Sequence, residues 1–203
     1  MEIALGILLG IGLAASTGFR VFIPLLITNI GSLLGFVKLA SGFEWMGGWI
    51  AFAVFVTASV AEISAYYIPW LDNALDTISG PLSMVAGTVL TASFLTDINP
   101  LLQWTLGIIV GGGTAGIIKV GASAARLTST TTTGGLGNSV VATGENIMSV
   151  VMSVLSFLLP VVAAFIVFLI IVFLIRKFAS MEKLKMLFRS EEKQKKKLQG
   201  KSS

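Results

Sequence analysis

The chain has 203 residues, 55% of them apolar and 12% charged, roughly half the charged share of a soluble domain, so a bilayer rather than water is the main solvent. Its net charge of +4 is not spread along the chain, because ten of the fourteen Lys and Arg residues fall between Arg176 and Lys201 and the rest is slightly acidic. Cys and His are both absent, which excludes disulfides, thiol chemistry and the usual transition-metal ligands and leaves only oxygen-ligated ions.

Met1-Glu2 runs straight into apolar sequence without the basic region or small-residue cleavage site of a signal peptide, so the first run is read as a retained span. Ile3 to Ser16 is apolar and glycine-rich, and the pattern resumes from Val21 to Val37. Together these exceed the about 20 residues of one plain span, so the chain is expected to be interrupted near Thr17 to Pro24, or to re-enter after it. Trp45 to Trp70 is the next span, with Trp45 and Trp49 at one end and Tyr66, Tyr67 and Trp70 at the other, where amphipathic rings favour the headgroups. Pro69 is expected to end it, followed by a polar turn over 71–76. Gly80-Pro81 then opens a shorter span to Phe94, and Pro100 suits a helix start after the loop at 97–99. Leu101 to Leu127 is a glycine-rich span carrying Lys119 and Arg126, and the Ser/Thr/Gly tract over 128–138 is expected to lie outside any ordinary span. Ile147 to Ile175 is a final span with Pro160 inside it, long enough to tilt or kink.

The cluster beginning Arg176-Lys177 abuts this last span, so the positive-inside rule places the C-terminus in the cytoplasm. Two readings of the tail stay open: a topology-fixing stop-transfer segment, or an amphipathic helix over Met181 to Phe188 lying on anionic lipid.

Sliding the chain by 101 residues lays 5–14 over 106–115 with six identities in ten, three of them glycine. The same offset pairs Glu44 with Glu145, and one small gap brings Arg20 opposite Arg126. Counting spans back from the cytoplasmic tail gives the two halves opposite orientations and an external N-terminus. This is the inverted-repeat plan of many secondary transporters, whose sites lie at the repeat interface. The expected architecture is an all-α polytopic membrane protein of about five transmembrane helices, some interrupted or re-entrant. A transmembrane domain over 1–177 holds repeat halves 3–70 and 104–177 around a connector span at 80–94, followed by the basic tail 178–203.

Few residues carry chemistry. Arg20 lies between two apolar runs, where an unneeded arginine is disfavoured by about 3 kcal/mol, and Ser16 and Thr17 beside it suggest an interrupted helix with free polar groups. Snorkelling to the interface is the alternative. Lys119 and Arg126 are seven residues apart and share a helix face across small residues, pointing to an anionic partner, either Glu62 or an anionic substrate. Glu62 is the candidate coupling or gating carboxylate, with a static ion pair as the plain alternative. Asp72 and Asp76 form a possible cation site or simply a solvated turn. Thr130 and Thr131 lie in the hydroxyl and glycine tract after Arg126, which either cradles an anion or is a loop. No nucleotide-binding or catalytic signature is met, so an enzyme, a cofactor, a metal site and a nucleic-acid partner are not expected.

The stretches 16–24, Ile68-Pro69-Trp70-Leu71-Asp72 with Asp76 and Pro81, and the tract after Arg126 resemble a family of small bacterial membrane proteins known as domain of unknown function 4126. The resemblance covers residues 3 to 175, implies an integral membrane fold and brings no substrate or activity. The residues themselves suggest a small inverted-repeat secondary transporter or flippase in a bacterial cytoplasmic membrane. It would act on an anionic solute or lipid phosphate held by Arg20, Lys119, Arg126, Ser16, Thr17, Thr130 and Thr131, and would work as a homodimer because five spans enclose little protected interior. A structural or accessory membrane protein with a partner-recruiting tail is the alternative, and an ion channel the third.

Overall fold

Lipid offers no hydrogen bonds, so a chain this apolar satisfies its backbone within helices, and every regular element among the described residues is helical. The computed structural model describes the backbone of residues 2–199, and the side chains of these residues apart from 2, 69, 70, 72–74, 76 and 181–199. The elements are α1 (Glu2–Phe19), α2 (Phe22–Leu33), a 3₁₀ turn (Glu44–Gly47), α3 (Trp49–Ala65), α4 (Pro69–Ser93), α5 (Pro100–Leu106), a π-helical segment (Gly107–Gly112), α6 (Gly113–Thr133), α7 (Asn138–Leu158) and α8 (Pro160–Gln199). Among the described residues, Pro100–Thr133, Asn138–Leu158 and Pro160–Ser180 are long and apolar enough to cross a membrane, and three shorter apolar helices lie at 3–19, 22–33 and 49–65. The protein is an all-α membrane protein.

The chain forms two compact units, Met1–Val167 and Phe168–Ser203. In the first, α1 is the central element, packed against α4, α6 and α7. Polar side chains are turned inward while large apolar ones face out: Ser16, Thr28, Ser83, Ser149 and Ser153 are fully buried, whereas Ile50 is 85% exposed and Ile109 67% exposed. That inversion of the soluble pattern is what a lipid solvent selects, since exposed side chains need only be apolar; of these hydroxyls Ser149 donates across to the Ser16 carbonyl of α1, while Ser16, Ser83 and Ser153 donate to carbonyls of their own helices. The second unit is helical to Gln199 and presents exposed Phe168, Leu169, Phe173 and Ile175 ahead of Arg176 and Lys177. The amphipathic face considered for the tail at 181–188 lies outside the described side chains.

The interruption expected between the first two apolar runs falls at Arg20 and Val21, between α1 and α2. Pro100 opens α5 with Asn99 as its cap, the side-chain oxygen accepting the Leu101 amide at 2.8 Å. Other expectations are corrected. Pro69 does not end the preceding span; α3 stops at Ala65, and Pro69 opens α4, where its missing N–H costs no helical bond. The polar turn expected at 71–76 is therefore helix, and Pro81 lies inside α4, with the Ser83 hydroxyl donating to the Gly80 carbonyl at 2.8 Å. The connector drawn at 80–94 is thus the second half of a 25-residue helix.

The tract over 128–138 is also helical as far as Thr133, because Thr128, Thr132 and Thr133 return their hydroxyls to carbonyls four residues back. Gly134, in the left-handed conformation at φ 65°, ends α6 and allows a tight turn into α7. The span expected over 147–175 begins earlier and is parted at Leu159, whose φ of −141° is the extended geometry imposed before Pro160. Bonds from Leu159 N to the Leu155 carbonyl at 2.8 Å and from Ala163 N to the Leu159 carbonyl at 3.0 Å carry the helical pattern across this joint. Glu44 and Glu145, matched by the 101-residue offset, sit differently: Glu44 is exposed and accepts the Gly42 amide, while Glu145 is buried within α7.

Candidate functional site

The break after α1 leaves the first amides of α2 without helical acceptors, and Val21 offers no side-chain cap. Glu62 reaches across from α3 to supply one: its Oε1 accepts the Val21 amide at 2.8 Å and its Oε2 the Phe22 amide at 3.0 Å. A carboxylate at a helix N-terminus is stabilised by both the hydrogen bonds and the helix dipole. Glu62 thus caps the start of α2, with Pro24 in its first turn, where it forfeits no bond.

Arg20, at the break, is completely buried and extends toward α7. Its Nε donates to Asn146 Oδ1, and its Nη2 donates to the Ala142 carbonyl at 3.0 Å and lies 3.3 Å from Glu145 Oε2. Ala142, Glu145 and Asn146 occupy one face of α7 at helical spacing. Arg126, on α6, forks onto the same glutamate, with Nε donating to Oε1 at 2.9 Å and Nη2 to Oε2. Both guanidiniums also meet the ring of Tyr66, at 3.7 Å for Arg20 and 4.0 Å for Arg126, and the Lys119 ammonium is 5.8 Å from the same ring. One carboxylate and one aromatic ring therefore gather all three sequence-predicted cations, each at most 5% exposed.

Among the described residues, Arg20, Lys119 and Arg126 lie with two buried carboxylates, Glu62 and Glu145. The Nη1 of Arg20 is buried without a hydrogen-bond partner among the described residues. A buried guanidinium donor without a partner is costly, and its bonding pattern admits one more acceptor.

For Arg126 the carboxylate partner is Glu145, shared with Arg20, rather than Glu62, whose two oxygens accept backbone amides. Tyr66, expected among the headgroup aromatics, is buried at 3% exposure beneath the arginines, whereas Tyr67 is exposed. Ser16 and Thr17 have their hydroxyls engaged in packing rather than turned to a ligand. Ser16 Oγ donates to the Gly12 carbonyl at 2.9 Å, and Thr17 Oγ1 lies 2.7 Å from the Ala14 carbonyl and 3.1 Å from that of Ser83 on α4. Thr130 and Thr131 are exposed at the end of α6, Thr130 paired with Asn138 and Thr131 donating to the Thr128 carbonyl. The side chains of Asp72 and Asp76 lie outside the described residues. Among the described residues no group of three or more metal-ligating side chains occurs.

Three contributors escaped the sequence: Glu145, Tyr66 and Asn146. A signal for Glu145 was present, since a buried carboxylate facing two intramembrane arginines is the commonest way such charges are tolerated. Neither curated proteins nor solved structures yield a match to the chain. Residues 7–179 match the family described as Domain of unknown function (DUF4126), a stretch that includes every residue of the arginine cluster, and the chain belongs to that family.

Proposed function

We propose that the protein is a multi-pass carrier or flippase of a bacterial cytoplasmic membrane for an anionic solute or lipid phosphate. In this reading the incoming anion takes over Arg20 and Arg126 from Glu145. The observation that carries it is the shared grip of two buried guanidiniums on one internal carboxylate, with Arg20 Nη1 lacking a hydrogen-bond partner among the described residues. A carboxylate forked by arginine presents the geometry that a phosphate or carboxylate ligand would present, so Glu145 resembles a resident surrogate for the substrate. Glu62, seated on the α2 amides, would set the position of Arg20 and respond when the cluster changes charge.

The inverted-repeat organisation, with the N-terminus outside and the C-terminus in the cytoplasm, belongs to the same proposal, as does a homodimer. Support for the repeat comes from Gly10 and Gly111, which the 101-residue offset pairs. A Cβ on either would collide with the same residue, Thr91 of α4, so the two matched segments approach one point on the helix between them. Glu44 and Glu145 fall outside this correspondence.

Titration calorimetry of inorganic phosphate into the solubilised full chain tests the carrier reading. The Arg20→Ala, Arg126→Ala double variant should lose at least about ten-fold in affinity, equivalent to about 1.4 kcal/mol. Glu145→Gln, which removes the competing charge and keeps the shape, should bind phosphate more tightly than the parent. Undiminished binding in the double variant, or weaker binding in Glu145→Gln, would sink the proposal. The accessory reading draws on the same glutamate, since a bidentate pair at full occupancy also describes a static strut. It predicts one stoichiometric partner that co-purifies and is lost on deleting 178–203.

A further inference from the structure

Four buried side-chain atoms lack a hydrogen-bond partner among the described residues, and they are not scattered. Thr28 Oγ1 and Asn29 Oδ1 lie on α2, Ser59 Oγ on the adjoining α3, and Arg20 Nη1 at the break where α2 begins. Thr28 and Asn29 are fully buried and Ser59 is 4% exposed. Other interior hydroxyls return to their own helices: Ser16, Ser153 and Ser156 each donate to a carbonyl four residues back, at 2.9, 2.7 and 2.6 Å, whereas Thr28 and Ser59 do not. A buried polar group left unbonded costs about 1–3 kcal/mol, so a row of them marks groups that bond to something other than the chain.

The row follows the seam between the two helices. They run antiparallel: Glu62 near the end of α3 takes the Val21 and Phe22 amides, and Asn29 toward the end of α2 donates to the Met46 and Gly48 carbonyls just ahead of α3, at 2.6 and 3.0 Å. Along the helix axes Thr28 is six residues, about 9 Å, from Phe22, and Ser59 is three residues, about 4.5 Å, from Glu62. Ser59 therefore stands midway between Glu62 and the level of Thr28. Each step is close to the roughly 5 Å that one water spans between two polar atoms.

The chemistry of the four atoms selects the occupant. Asn29 Oδ1 only accepts, Arg20 Nη1 only donates, and the two hydroxyls do either. An anion would serve the guanidinium and leave the amide oxygen unserved. A metal cation would need about six oxygens gathered round it, not three in a row, and would be repelled by Arg20. Water both donates and accepts, and two to four polar neighbours hold it. The Asn29 end of the seam adjoins the 3₁₀ turn, where the Glu44 carboxylate and Trp45 are exposed, as groups at a water-facing boundary are.

We propose that the α2–α3 seam holds a file of ordered water that runs from the 3₁₀ turn past Asn29, Thr28 and Ser59 and connects Glu62 with the aqueous phase. Through it a carboxylate enclosed by helices exchanges protons with solvent. Among the described residues, Arg20 at the break and Lys119 of α6 are the charged groups that act on Glu62, beside the two α2 amides; the side chains of Asp72 and Asp76 on α4 lie outside them. The file serves Glu62 whether the arginine cluster carries an anion or is a static strut, and so stands apart from the carrier reading.

Radiolytic footprinting of the full chain in phosphatidylcholine nanodiscs reads such water directly, because hydroxyl radicals formed from it oxidise the side chains beside it. Met46, at the 3₁₀ end, should be oxidised at least about three-fold faster than Met152 of α7, although both are at most 2% exposed. Leu25, on α2 between Phe22 and Thr28, should exceed Leu90 of α4 by a similar factor. Thr28→Val with Ser59→Ala removes two holders of the water at little change of shape, and should bring Leu25 down to the rate of Leu90. An unchanged rate at Leu90 reports an intact core; if it rises, Thr28→Val alone is read, with the same fall at Leu25 expected. Met46 and Leu25 no faster than their controls would overturn the file, as would labelling at Met46 without Leu25, or labelling of Leu25 that survives the substitutions. A melting temperature raised by Thr28→Val would overturn it too, since only a dry hydroxyl is better removed.

Discussion

The α1–α2 break and the α6–α7 hairpin are each closed by a buried glutamate, and the two glutamates hold different things. Glu62 grips two backbone amides, whose partial charges are fixed in direction by the helix they begin. Glu145 grips two arginine side chains, whole charges on flexible stems. Releasing Glu62 means unwinding backbone, whereas releasing Glu145 means exchanging one acceptor for another. The first carboxylate is suited to fixing geometry and the second to being replaced.

Removing each glutamate separates these roles. Glu145→Ala leaves Arg20 and Arg126 buried without their shared counter-charge, and stability should fall by about 3–5 kcal/mol. Thermal unfolding of the solubilised protein would measure it, and millimolar phosphate should restore much of the loss by occupying the abandoned arginines. Glu62→Ala removes two charge-assisted bonds to amides and should cost about 3 kcal/mol in the same measurement, with no recovery in phosphate because the arginine pair is still held by Glu145. A phosphate rescue of Glu62→Ala but not of Glu145→Ala would reverse the comparison. The smallest effect is expected outside both regions: Thr130→Ala with Thr131→Ala should change stability by less than about 0.5 kcal/mol and leave phosphate affinity unaltered, since these hydroxyls are exposed and their partners lie on or beside their own helix. A marked loss of phosphate binding in that pair would return the hydroxyl tract to the site.

The break at Arg20 could be read from the chain because its signals are local: small and hydroxyl-bearing residues before it, a proline one turn after, and a charge that apolar sequence does not tolerate casually. The identity of Arg20's partner could not, because Glu145 is distant in sequence and reaches it only if α6 turns sharply into α7. That turn depends on Gly134 ending a helix in which successive threonines bond backward to their own carbonyls, and polar composition had suggested a loop instead. The same bias hid the start of α4. Asp72, Asn73 and Asp76 look like a solvated turn, yet proline in first position followed by acidic residues is also how helices begin. Tyr66 was misplaced for a different reason, since an interfacial ring and a ring beneath two guanidiniums share the same amphipathic character and only packing distinguishes them.

The wide turn at Gly107–Gly112 sets the phase of everything that follows it. Upstream, Gln103 clamps the rod to the end of α4 through the Ala92 and Leu95 carbonyls at 3.0 and 3.1 Å. Downstream, Lys119 and Arg126 look toward Tyr66. A π turn holds one residue more than an α turn, and each residue of an α-helix advances its direction by about 100°. The same run of residues wound as plain α-helix, without the wide turn, would carry both cations about 100° round the helix from Tyr66. The aim of the cation cluster is therefore written in glycines that never touch it.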